Sequence, residues 1–140
     1  MAFVAPDYRA EIYKFVADYE GVHQAAIRRT GAVFDFYSRL MVDRRVTGEA
    51  RRLVAIVLAY FVVPDDVLPE EELGPYGMLD DLYLAAHVYR LLDRQVEPEI
   101  LAEAWIEDED LGKVMDVVYG ESRAALGKQR KDVLALAGLV

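Results

Sequence analysis

The stretch YFVVPDDVLPEEELGPYGMLDD, from Tyr60 to Asp81, decides the fold of this chain. An apolar run that begins at Leu53 stops at Pro64, whose fixed φ and missing N–H end a helix. Seven acids follow between residues 64 and 81 (Asp65, Asp66, Glu70, Glu71, Glu72, Asp80 and Asp81) with no Lys or Arg among them. A second apolar run then keeps helical spacing through Leu82, Ala85, Ala86, Tyr89 and Leu92. Two apolar helices joined by a Pro/Asp-rich acidic loop predict a central helical hairpin.

Working outward, the period stays helical. Tyr8, Ile12, Phe15, Tyr19, Val22 and Ala26 keep the three–four spacing of a buried stripe, resumed at Val33, Tyr37 and Leu40. Pro6 and Asp7 suit a helix start, and Thr30–Gly31 predicts a break. Thr47 is placed to cap the helix that runs through Tyr60, and Asp80 or Asp81 to cap the next. Pro98 suits the first position of a short helix leading to Trp105. Asp108 can open a further helix, which Gly120–Ser122 is expected to separate from a terminal one. No segment alternates with period two long enough to form a strand. The expectation is all-α: a single helical domain, 1–140, of about six to seven helices.

Composition excludes several function classes. A chain of 140 residues can bury a real core without staples. With no cysteine there is no disulfide, thiolate metal site or cysteine nucleophile. Asn is absent and Arg outnumbers Lys 12 to 4, a thermophile-like profile that a GC-rich genome would also give. The start, MAFVAPDYRAE, lacks a basic segment leading into an apolar one, so a cytoplasmic location is expected. A net charge of −9 argues against nucleic acid, whose phosphates need a basic footprint. Charge is uneven, however: Arg28, Arg29, Arg39, Arg44, Arg45, Arg51 and Arg52 crowd one stretch, and residues 97 to 110 hold seven more acids. These patches are expected to face each other or water, with Arg51 and Arg52 paired to the acidic loop. Leu53 to Val63 is 11 residues long, well short of the roughly 20 that span a bilayer. Membrane contact would therefore have to be peripheral, through the arginines.

Each loop residue has a structural use. Pro64 and Pro69 stiffen the turn, Asp66 can accept backbone N–H bonds, and Gly77 can supply a positive φ. Asp80 and Asp81 favour the positive end of the following helix. The competing use gathers Asp66, Asp80 and Asp81, with Glu70, into an all-oxygen site for Mg²⁺, Ca²⁺ or Mn²⁺. Such a site could support hydrolysis. The spacing is not that of an EF-hand. Glu20 and His23 make one Glu-x-x-His pair, half of a di-iron set, and His87 has Leu84 where the second Glu would stand. Ser38 and Ser122 lie in no nucleophile-elbow context, and no glycine-rich phosphate loop occurs.

The loop resembles the signature of the YkvA-like family, a bacterial domain of unknown function (DUF1232). That pattern reads here as Pro64-Asp65-Asp66-Val67-Leu68-Pro69, then Gly77-Met78-Leu79-Asp80-Asp81, within a family-like core of about residues 47 to 92. The spacing from Pro69 to Gly77 is one residue longer than usual, and Glu70 stands where Asp is frequent. The resemblance implies a helical hairpin, brings no established reaction, and implies membrane association only through some relatives. The leading expectation is a non-catalytic helical protein, not an enzyme and with no cofactor, acting through contacts with an unknown protein partner. In it the loop is a structural clasp or a docking surface. A divalent-cation site and peripheral membrane association are the alternatives. The Tyr8–Leu40 stripe could also pair with a second copy as a homodimer.

Overall fold

The computed structural model describes residues 5–62 and 73–139, with side chains from residue 9 onward. Among these residues the chain is all-α, as the periodicity predicts. Its helices are α1 (Ala5–Val16), α2 (Gln24–Ile27), α3 (Thr30–Val42), α4 (Gly48–Val62), α5 (Leu79–Leu92), α6 (Pro98–Ala104), α7 (Leu111–Leu126) and α8 (Arg130–Leu136). Short 3₁₀ turns at Gly74–Met78 and Gly127–Gln129 lead into α5 and α8.

The two apolar runs form the predicted hairpin, with α4 packed against α5. The centre of the fold is α5 itself, which also touches α2, α3, α7 and α8. Leu79, Leu82, Leu84, Ala85, Val88 and Leu92 of this helix are fully buried. A helix apolar on nearly every side is a helix enclosed on nearly every side. The α3 helix closes over α5, and the Tyr37 hydroxyl donates to the carbonyl of Ala85 in the middle of α5. Phe36 meets Tyr37, Tyr89 and Trp105 edge to face at centroid distances of 5.4, 6.3 and 6.1 Å. Phe34 meets Phe61 of α4 in the same way.

Three boundaries differ from the sequence expectation. The Tyr8–Ala26 stripe is interrupted between Val16 and Gln24, and the break expected at Thr30–Gly31 falls just ahead of it, at Arg28–Arg29 between α2 and α3. Gly21 (φ 142°) and His23 (φ 63°) turn the chain there, and hydrogen bonds from Tyr19 Oη to Val22 O (2.8 Å) and from Arg28 Nε to Tyr19 O (2.7 Å) hold the turn. Thr30 is the first residue of α3, and its hydroxyl donates to Ile27 O at 2.6 Å. Near the C-terminus, Gly120–Ser122 lies inside α7, since Ser122 donates to Val118 O at 2.6 Å instead of breaking the helix. The break falls at Gly127 (φ 53°). The start of α7 is capped by Asp110, which accepts from Lys113 N at 3.0 Å, two residues beyond Asp108.

The charge patches meet as expected in one case. Arg29 pairs with Glu109 and Arg45 with Glu103, so the arginine-rich stretch answers the acids of residues 97–110. Arg51 and Arg52 do not reach for the 64–81 acids among the described residues. Arg52 pairs with Glu49 one turn back in α4, and Arg51 donates to Met41 O at the end of α3. No helix among the described residues is long and apolar enough to cross a membrane. Ile12, Ala26, Val33, Tyr37 and Leu40 of the proposed dimer stripe are buried in the chain's own core, leaving Phe15 and Val22 exposed.

Candidate functional site

The site is built where α4 ends and α5 begins. Tyr60 lies in the last turn of α4 with its ring buried. Asp80 and Asp81 occupy the first turn of α5 and are 0% and 1% exposed. The Tyr60 hydroxyl donates to Asp80 Oδ2 at 3.2 Å, and the backbone N–H of Asp81 donates to Asp80 Oδ1 at 2.9 Å. One carboxylate thus fastens the end of one helix to the start of the next. Burial of two acids in sequence is costly in an apolar core, and the positive end of α5 offsets part of that cost.

Neither acid is the helix cap. That position falls to Met78, because the 3₁₀ turn over Gly74–Met78 runs directly into α5 and moves the helix start ahead of the pair. The positive φ expected at Gly77 is found at Gly74 (φ 61°), and Gly77 is buried inside the 3₁₀ turn. Pro64, Asp66, Pro69 and Glu70 lie outside the described residues. Among the described residues no three His, Cys, Asp or Glu side chains converge as metal ligands. Of the four candidate ligands, Asp80 and Asp81 are adjacent and buried together.

The Glu20–His23 pair is not assembled. Glu20 lies 4.0 Å from Arg28, whereas His23 pairs with Glu121 of α7 and stands beside the Tyr76 ring. His87 is half-buried against Tyr83, and burial, then the Arg90 charge, pushes its pKa down, so it stays neutral near pH 7.

Sequence reasoning passed over a third buried acid. Asp35 sits in the middle of α3, 5% exposed, between Phe34 and Phe36. Arg9 Nε donates to its Oδ1 and Tyr13 Oη to its Oδ2, each at 2.6 Å, and the Arg9 guanidinium lies 4.8 Å from the Tyr13 ring centre. This triad ties α1 to α3. The available signal was an acid set inside the apolar run VFDFY. Tyr13 has its pKa pushed up to about 12 by burial first, then by its hydrogen bond to the Asp35 carboxylate. The unfolded chain would release that proton nearer pH 10, so the folded state binds more protons between about pH 10 and 12. Stability should therefore fall as pH rises through that window. Denaturant melts at stepped alkaline pH should show a shallower fall in Tyr13→Phe than in the wild type, and equal slopes would refute the assignment.

Comparison with known proteins points to the same segment. Residues 50–86, from α4 into α5, match the model of the family described as "Protein of unknown function (DUF1232)". The uncharacterized protein ORF9 of Methanothermobacter thermautotrophicus is 25% identical over 124 residues, which cover 89% of this chain and 85% of that protein. No solved structure matches the chain.

Proposed function

We propose that this chain, a DUF1232 protein over residues 50–86, is a non-catalytic cytoplasmic helical protein that acts through protein contacts, with Asp80 and Asp81 as a structural clasp. One observation carries this: the two acids that could perform chemistry are buried at the α4–α5 junction, and Asp80 is engaged by Tyr60 and by the backbone of Asp81. A group with no exposed surface meets neither a substrate nor a hydrated ion without rearrangement. Contact with a partner is supported by the flanks of the 63–72 segment, where Val62 and Leu73 stand 43% and 42% exposed. Those side chains give a docking surface beside a junction that the clasp holds in shape.

Thermal melts in Mg²⁺, Ca²⁺ or Mn²⁺ and in chelator test the proposal. An ion bound to the folded state raises the midpoint with its concentration. The expected result is the same midpoint in every condition. A saturable rise in any one ion, lost in Asp80→Asn, would replace the clasp with a cation site.

A further inference from the structure

Against a net charge of −9, one part of the surface carries the opposite sign. Arg123, Lys128, Arg130 and Lys131 fall within nine residues that include no acid. The 3₁₀ turn after α7 places the last three of them at a cleft of about 610 Å³ lined by Tyr83, Gly127, Lys128, Arg130, Lys131 and Leu134. That volume lies within the roughly 300–1,000 Å³ usual for small-molecule sites. Among the described residues none of these four bases forms an ion pair with a carboxylate, whereas five other arginines do. The nearest acids in sequence are Glu121, paired with His23, and Asp132.

The cleft is held in form. Gly127, at φ 53°, makes the turn, and its carbonyl accepts from Arg130 Nε at 2.8 Å. This bond sets the guanidinium in place and leaves its terminal nitrogens for another acceptor. The wall is aromatic and apolar. Tyr83 stacks on Tyr119 at 5.7 Å, and the Arg90 guanidinium lies 3.8 Å from the centre of the Tyr119 ring. Leu134 lines the same space. Burial first, then Tyr119, pushes the Tyr83 pKa up, and the Arg130 and Arg123 charges oppose part of that rise.

We propose that this cleft binds a small organophosphate, with the phosphate on Lys128, Arg130 and Lys131 and a planar or apolar part against Tyr83 and Leu134. Three cationic side chains lining one cleft favour a multiply charged anion, and guanidinium matches phosphate oxygens in pairs. The apolar wall selects for a phosphate that carries something besides itself. None of the residues lining the cleft belongs to the α4–α5 clasp.

AMP, adenosine and inorganic phosphate serve as probes on the full chain, followed by thermal shift and calorimetry. AMP should raise the melting midpoint saturably, inorganic phosphate more weakly, and adenosine not at all, with the AMP effect shrinking as salt is added. Arg130→Gln should weaken AMP binding about tenfold or more. Lys128 and Lys131 are exposed, so the double variant Lys128→Gln/Lys131→Gln should keep the wild-type fold and lose AMP affinity, deciding the matter even if Arg130→Gln folds poorly. No shift with AMP or phosphate up to about 10 mM would overturn the proposal. So would adenosine binding as well as AMP, phosphate binding as tightly as AMP, or unchanged AMP affinity in the double lysine variant. Salt-sensitive pelleting with phosphatidylserine vesicles in the absence of any AMP effect would also overturn it, assigning the bases to a membrane surface.

Discussion

Asp80→Ala lowers the unfolding free energy by about 1–3 kcal/mol, because it removes the buried carboxylate that accepts from the Tyr60 hydroxyl and from the Asp81 N–H. Two opposing terms act. Removing the carboxylate leaves one buried acid in place of two but also takes an acid from the first turn of α5, where the helix dipole favours it by about 0.3–1 kcal/mol. Asp80→Asn tests these against the hydrogen bonds: it removes the charge, keeps one oxygen to accept from the Asp81 N–H, and offers an amide N–H from which the Tyr60 hydroxyl can accept. If the clasp works through hydrogen bonding, Asp80→Asn should lose clearly less stability than Asp80→Ala in urea melts. Equal losses would assign the effect to charge.

Phe36→Ala has the larger expected effect, about 3–5 kcal/mol, the range for emptying an aromatic site in a packed core. Phe36 is fully buried at the meeting of α3, α5 and the Trp105 segment, with three aromatic edges against it. The cavity would open beside α5, which most of the other helices touch, so the loss should appear as a lower midpoint for the whole molecule. Phe15 on α1 is 40% exposed and provides the control, with Phe15→Ala expected within about 0.5–1 kcal/mol of the wild type. A small loss at Phe36, or an equal one at Phe15, would show that the core is organised elsewhere.

The hairpin was legible because both of its helices carry unbroken apolar spacing and are separated by residues that cannot continue a helix. Legibility failed where backbone geometry overrides pattern. The Tyr8–Ala26 stripe keeps helical spacing across a turn that Gly21 and His23 make with left-handed φ values, so periodicity alone joins what the chain divides. Gly120–Ser122 misleads in the opposite direction: two helix-weakening residues are tolerated because Ser122 bonds back to its own helix. Asp35 was passed over since an acid between two phenylalanines looks like an interruption until Arg9 and Tyr13, 26 and 22 residues away, are seen to meet it. Asp80 and Asp81 were recognisable as special from sequence, but their burial was not, because their role depends on Tyr60 in the preceding helix. The C-terminal bases escaped notice in the same way, since net charge hides a local excess until a turn gathers it around a cleft.

The most direct test of the clasp is a double-mutant cycle between Tyr60→Phe and Asp80→Ala, with unfolding free energies measured in urea with and without divalent ions. Coupling of at least about 0.5 kcal/mol, unchanged by the ions, is the predicted result. Additive losses, or coupling that appears only when an ion is present, would contradict it.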